Sequence, residues 1–380
     1  MRKSYSIVTL LAIIIAVLTS CTGNDYRNSI PSNSTALIAI NPTEFVGKQS
    51  PFASLLTPFV DEKNKRIKGV DLTKEIYLFI SGDGNLGLCA PLADAEEFDD
   101  FMQRLVTLDI ASCHTKNGDK DFYSFNKQWV VGHDDNTLLV AGPVIGADAE
   151  ARLKRRMAKL IEKSEDQNVT RPTLWEHLDE QQGNIRMVAQ ADVLPEQIAA
   201  SVSLGAPRGT STSDVLIEAN MTYSKGTLTI NGHTCSYNLN VKQALKRMET
   251  LYKPITIDWE KNMNDSAFIG FFMNIDGKEL TPYIAKNTVL NTMLIGTDAY
   301  DQIYRNKGDM AVMLTPNKVK DGTLFCTEVT SLPAGNVKSN DKLIVAINID
   351  AIKGQTLQAL LPFLGKVKRI VYNMNSEEYE

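Results

Sequence analysis

Phe271-Phe272-Met273-Asn274-Ile275-Asp276, followed by Leu280-Thr281-Pro282-Tyr283, is the stretch that decides the fold class. An apolar run closes on Asn and Asp, which start turns by hydrogen-bonding their own backbone, and a leucine-bearing helical segment follows. The pattern predicts a buried strand, a turn, and a short helix that packs back on the sheet and stops at its proline. The same order recurs. Leu37-Ile38-Ala39-Ile40-Asn41 leads to Leu55-Leu56-Thr57-Pro58-Phe59, and Ile344-Val345-Ala346-Ile347-Asn348-Ile349-Asp350 leads to Leu360-Leu361-Pro362-Phe363. A less regular copy is Met187-Val188-Ala189-Gln190-Ala191-Asp192, before Pro195. The Asn-to-Pro spacings of 17, 8 and 14 residues are too uneven for a solenoid, so the repeats predict duplicated architecture with loop variation.

Between the repeats lie meanders and amphipathic helices. Ile76–Ile80 and Leu86–Ala90 flank a Gly-rich turn and predict a hairpin. Asp94-Ala95-Glu96-Glu97 resembles a capping box, and Phe98, Phe101, Met102 and Leu105 then share one helix face. Strands near 122–125, 129–131 and 138–141 precede a helix from about Asp148 to Lys163. Ser164 to Asn168 and Arg171-Pro172 suit a linker. Strands near 215–221 and 228–230 then lead to a helix striped by Val241, Ala244, Leu245, Met248 and Leu251. The expected fold is α+β: two related domains, 31–168 and 173–380, of mostly antiparallel sheet with helices packed on one face, arising by internal duplication.

Of the 380 residues, 43% are apolar and 22% charged, which excludes collagen, coiled-coil rods and wholesale disorder and leaves room for two domains. The formal net charge is −5. Nucleic-acid binding needs a basic face, so no nucleic-acid partner is expected.

The N-terminus is the most specific segment. Arg2 and Lys3 precede the apolar run Ile7–Leu18, about the length of a signal-peptide core and short for a membrane span. Leu18-Thr19-Ser20-Cys21 resembles the lipobox of bacterial lipoproteins. That resemblance implies a signal peptide over 1–20, cleavage before Cys21, a diacylglycerol on its sulfur and usually a third acyl chain on its amino group. Residues 21–30 then form an acylated tether. Several chains anchor stably where one is marginal, since each buried CH₂ contributes about 0.8 kcal/mol. Thr22, rather than Asp, follows the cysteine, which by resemblance to lipoprotein sorting favours the outer membrane. The mature formal charge, −7 once Arg2 and Lys3 are lost, offers no attraction to anionic lipid.

Ser34–Asn41, Gly69-Val70-Asp71-Leu72-Thr73-Lys74-Glu75-Ile76-Tyr77-Leu78-Phe79 and the lipobox together resemble an uncharacterised Bacteroidetes lipoprotein family, described as a domain of unknown function. The resemblance implies an envelope context and transfers no catalytic residue.

Candidate chemistry is sparse. Gly82-Asp83-Gly84-Asn85-Leu86-Gly87 fits GxGxxG after a strand, but a dinucleotide loop must open a helix, whereas Leu88-Cys89-Ala90-Pro91 continues as a strand. A hairpin turn is expected. Asn117, Asp119 and Asp121, and separately His133-Asp134-Asp135-Asn136, offer oxygens, yet neither supplies the six or more that calcium needs. Solvated turns are expected. Cys113-His114 are adjacent, which is no evidence for a dyad. His177 follows Thr173 and Glu176 in a capping pattern and reads as a surface histidine. Arg152, Lys154, Arg155, Arg156, Lys159 and Lys163 make one helix basic above a Leu153, Met157, Leu160, Ile161 stripe, the pattern of a solvated face. Gly142 to Gly146 before it offers amides to an anion only by position. Cys89, Cys113, Cys235 and Cys326 carry no CxxC spacing; Cys89 and Cys326 sit in apolar surroundings that suit buried free thiols. No catalytic residue, metal ligand or cofactor site is expected, and no redox or zinc chemistry.

The expected function is a non-catalytic, lipid-anchored envelope protein, held to the membrane through Cys21 and binding an envelope partner or extracellular ligand. The alternatives are an envelope hydrolase with carboxylates assembled by the fold, and a hydrophobic-ligand carrier with a large apolar cavity.

Overall fold

The computed structural model describes residues 25–44, 60–61, 66–125, 128–162, 173–194, 196–294, 298–319, 322–349 and 367–375. Cys21, the expected signal peptide, the segments Leu55–Phe59 and Leu360–Phe363 expected to be helical, and the expected linker at 164–172 lie outside the described residues. In chain order the first elements are β1 (Ala36–Ile40), β2 (Val60–Asp61), β3 (Arg66–Ile67), β4 (Ile76–Ile80), β5 (Leu86–Pro91) and helix α1 (Ala95–Thr107). Next come β6 (Ala111–Asn117), β7 (Lys120–Phe125), β8 (Trp129–His133), β9 (Thr137–Gly142) and α2 (Ala147–Ile161). Then follow α3 (Thr173–Asp179), β10 (Ile185–Gln190), α4 (Glu196–Val202), β11 (Leu216–Ser224), β12 (Thr227–Cys235) and α5 (Leu239–Glu249). The last are α6 (Trp259–Asn262), β13 (Ile269–Asp276), α7 (Gly277–Lys286), α8 (Thr288–Leu294), α9 (Asp298–Arg305), β14 (Lys307–Val319), β15 (Gly322–Ser331), β16 (Asp341–Asn348) and β17 (Arg369–Asn375).

Two compact units result, Met1–Ser34 with Ile67–Pro172, and Thr35–Arg66 with Thr173–Glu380. The first carries an antiparallel run ordered β4-β5-β9-β8-β7-β6. Its helices form as their patterns predict. Asp94 caps α1 by accepting from Glu97 N (2.9 Å), and Phe98, Met102 and Leu105 are buried. The box is not reciprocal, because the Glu97 carboxylate accepts from Gly69 N instead (3.3 Å). On α2, Leu153, Met157, Leu160 and Ile161 are buried.

The second unit carries the order β15-β14-β13-β16-β17-β12-β11-β10-β1, antiparallel except for the parallel pair β12–β17. Strand β13 is buried on both faces, which is why its sequence is continuously apolar rather than alternating. Phe271, Met273 and Ile275 face α7, α8 and α9. Phe272 faces the other way, against Ile255, Ile257 and Met263.

This arrangement overturns the expected pair of related α+β domains. The sheet is mixed and strand-dominated, and a duplication is not shown. The supposed copies are neighbours. β13 pairs with β16, Phe271 opposite Val345, and β1 pairs with β10, Leu37 opposite Val188. The shared pattern records one physical demand, a buried central strand, and among the described residues an Asx turn follows it only at Asn41 and Asp276.

A second correction concerns proline. Helix α7 continues past Pro282 to Lys286, since losing one N–H costs less than uncovering Leu280, Thr281 and Ile284, all buried. The helix ends at Asn287, whose N–H closes on the Tyr283 and Ile284 carbonyls. Gly277 is needed at its start, because a Cβ there would lie 1.6 Å from Ile303 O. Among the described residues no helix is long and apolar enough to cross a membrane.

Candidate functional site

A groove of about 840 Å³ opens in the second unit beside α4, the loop 203–210, α5 and the α7–α8 junction. Its floor is tied by Asn287, whose Nδ2 donates to Ala200 O (3.1 Å) while its Oδ1 accepts from Leu290 N (3.1 Å). Gly205, at φ +97, lets the loop pass close to Met248 on α5. Three exposed cations, Arg208, Arg247 and Lys286, line the groove. Among the described residues, none of them has an ion-pair partner. Asp192 and Glu196 are the acids of the lining, and the Ser203 Oγ in the wall is buried without a hydrogen-bond partner. The size falls within the range of ligand pockets. Unpaired guanidinium groups and hydroxyls at Thr210, Thr212 and Thr288 suit a polar ligand carrying negative charge.

Two histidine–carboxylate clusters lie elsewhere, one in each unit. In the second unit, hairpin register builds the cluster. Glu218 on β11 stands opposite His233 on β12, and Cys235 is the next residue on that face. His177 arrives from α3, with its Nδ1 2.7 Å from Glu218 Oε1. His233 Nε2 lies 3.6 Å from Glu218 Oε2. The ligand atoms of His177, Glu218 and Cys235 all lie within 4.8 Å of one another. Burial acts to raise the Glu218 carboxyl, but His177, Cys235 and the imidazole charges outweigh it and hold the group below its ordinary value. The Glu218 carboxylate holds the His177 imidazole above its ordinary value. Burial, then the Glu218 charge, pushes the Cys235 thiol up to about 12. A thiol held protonated is the reverse of an activated nucleophile.

In the first unit, Asp121 and His133 stand opposite each other across β7–β8, and Asp99 reaches them from α1. Here donors already occupy the acids. Asp99 Oδ1 accepts from the Tyr123 hydroxyl (2.6 Å) and lies 3.1 Å from His133 Nε2. Lys116 Nζ is 3.4 Å from Asp121 Oδ2. The His133 ring is buried, edge-on to Phe98 and stacked on Tyr123. Burial and the Asp99 hydrogen bond raise the Tyr123 phenol.

The structure disposes of the remaining sequence candidates. Gly82–Gly87 is a hairpin turn, closed by Ser81 N donating to Asn85 O (2.9 Å) with Gly84 at φ +83. Asp134 closes the β8–β9 turn by accepting from Asn136 N and Thr137 N. Asp119 is exposed and paired with Lys120, whereas Asp121 is buried rather than solvated. His177 is half-buried against Glu218 rather than a surface residue, because α3 packs on β1 and β10 and the side chain reaches Glu218 on the neighbouring β11. On α2, Lys154 pairs with Glu150 and Arg156 with Asp83. Cys89 and Cys235 are buried free thiols, but Cys326 is free and exposed, because β15 ends the strand order. The side chains of Cys113 and His114 lie outside the described residues.

An apolar cavity of about 90 Å³ lies under α7–α9, lined by Phe271, Met273, Leu280, Ile284, Leu290 and Leu294 among others. It is smaller than the 150 Å³ cavity that holds one benzene in an engineered protein core, so it offers no room for a lipid.

No curated protein matches the chain. A solved structure, crystal form IV of TP0453, is similar over 54% of this chain and 77% of that one, at 11% identity and a TM-score of 0.33. A family model described as Domain of unknown function (DUF4836) matches residues 56–316. That span covers more than half of the chain, and the protein belongs to this family.

Proposed function

We propose that this protein is a non-catalytic, lipid-anchored component of the bacterial cell envelope, of the Bacteroidetes lipoprotein type, that holds an anionic partner or extracellular ligand in its polar groove. The observation that carries the binding half is the convergence of Arg208, Arg247 and Lys286, none ion-paired among the described residues, on a groove of about 840 Å³. The anchoring half rests on Leu18-Thr19-Ser20-Cys21 at the end of an apolar leader. An acylated Cys21 would hold the body near the outer membrane, on its periplasmic or its outer face.

Two experiments test the halves separately. Cells fed an alkyne fatty acid label the wild type but not Cys21→Ala, which leaves the membrane fraction; label retained on Cys21→Ala refutes the anchor. Crosslinking of the acylated full-length protein in native membranes, read by mass spectrometry, recovers a reproducible species that Arg247→Glu with Arg208→Glu loses. Recovery unchanged by that double variant removes the groove from the proposal. Turnover of a glycan, peptide or ester library, abolished by one groove carboxylate change, favours the hydrolase instead.

A further inference from the structure

We propose that His177 Nδ1, Glu218 Oε1 and Cys235 Sγ form a binding site for a single zinc-class divalent cation, separate from the groove. One observation sets this cluster apart from an ordinary ion pair. Glu218 Oε1 is buried and 2.7 Å from His177 Nδ1, yet it accepts no hydrogen bond of acceptable geometry. The contact is close but lacks the alignment of a hydrogen bond, which leaves Oε1 a buried acceptor without a partner.

The donor set is one nitrogen, one oxygen and one sulfur, which suits zinc over calcium or magnesium. A tetrahedral site with bonds of ~2.0–2.3 Å has ligand-to-ligand edges of roughly 3.3–3.7 Å, so His177 must move outward from Glu218 by roughly 0.6–1.0 Å to admit the ion. The helix α3 is short, and His177 is in its last turn. Charge balances as well. The cation displaces the Cys235 thiol proton and, where His177 is imidazolium, its Nδ1 proton to solvent, and the Glu218 carboxylate and Cys235 thiolate then neutralise it, leaving no net buried charge. His233 Nε2 lies 3.6 Å from the second carboxylate oxygen, close enough to support the ligand's orientation electrostatically. Glu180 and Lys242 are the other charges that the cluster senses. A fourth position remains for water or His233.

The test uses the full-length protein in detergent with zinc alone and cobalt alone as probes. The wild type should retain one equivalent of zinc through dialysis, and cobalt should give a thiolate-to-metal charge-transfer band. Cys235→Ser should abolish that band and His177→Ala weaken binding at least tenfold. His233→Ala should cost about 10–100-fold, and Cys326→Ser nothing. Hydrogen exchange at β11, β12 and α3 of the wild type needs no variant to fold and should slow when zinc is present. The proposal fails if the wild type retains no zinc, if zinc leaves exchange at β11 and β12 unchanged, or if the cobalt band survives Cys235→Ser and disappears in Cys326→Ser.

Discussion

In the first unit, Asp99 already receives the Tyr123 hydroxyl and the His133 ring while Lys116 attends Asp121; in the second, Glu218 sits between two imidazoles with one buried oxygen left unsatisfied. Both clusters join a histidine to a carboxylate directly across the two strands of a hairpin. They differ in whether donors from the protein have filled the acceptor positions. A filled network stabilises the fold and resists a metal ion, because binding would first break its hydrogen bonds. A partly filled one keeps an acceptor for an ion that arrives later.

The strongest way to break this contrast is His133→Ala. Removing a ring buried between Phe98 and Tyr123 leaves a cavity and takes a partner from Asp99, at a cost of about 2–4 kcal/mol. Hydrogen exchange resolved by peptide should show the loss in the first unit, with no dependence on added zinc. In the second unit the corresponding lever is the ion. Zinc at 100 times its dissociation constant should stabilise the wild type by about 2.7 kcal/mol. Exchange protection should rise at β11, β12 and α3 and not at β7 or β8. A zinc response confined to β7 and β8 would invert the assignment.

Tyr123→Phe is a milder probe of the filled network. It removes the hydroxyl that donates to Asp99 (2.6 Å) and keeps the buried ring. Hydrogen bonds to charged groups contribute about 1.5–3 kcal/mol, and the partly exposed Asp99 regains water, so about 1–2 kcal/mol is expected. Urea unfolding followed by a first-unit probe measures it, and an unchanged midpoint would show that the network is ornamental to stability.

Local chemistry was legible in the sequence. The Gly-rich β4–β5 turn, the Asp94 cap and the α1 and α2 stripes follow from spacings of two to four residues. The doubly buried β13 also announced itself through its unbroken apolar run. What could not be read was which strands adjoin. Four similar segments suggested an internal duplication, yet they lie as adjacent pairs in one unit, since burial selects the same residue types wherever a central strand occurs. Both clusters were partly readable. Pairing Phe125 with Trp129 carries Asp121 opposite His133. Lys225 and Gly226, both at positive φ, form the two-residue turn that carries Glu218 opposite His233. Counting back from that turn would have found Glu218, His233 and Cys235; only the arrival of His177 from a separate helix had no signal in spacing. The groove is assembled from segments between Asp192 and Val289 that the sequence gives no reason to combine.

The smallest expected effect tests whether first-unit acids act through protons rather than metals. Glu150, in the first turn of α2, accepts from Lys154 (2.8 Å) and from the Ser124 hydroxyl on β7. The Lys154 contact, then Ser124, holds its carboxyl below the ordinary 4.5, against a smaller opposing effect of burial. A depressed carboxylate contributes stability that is fully present above 4.5 and is lost as pH falls through the lowered value. Glu150→Gln keeps the shape but not the charge, so the wild type should exceed it by about 0.5–1 kcal/mol at pH 7. The difference should shrink toward zero in acid and be unaffected by zinc. A gap that persists below pH 3 would mean that the amide disturbs packing at α2, and Glu150 would then report on the helix contact instead of the charge.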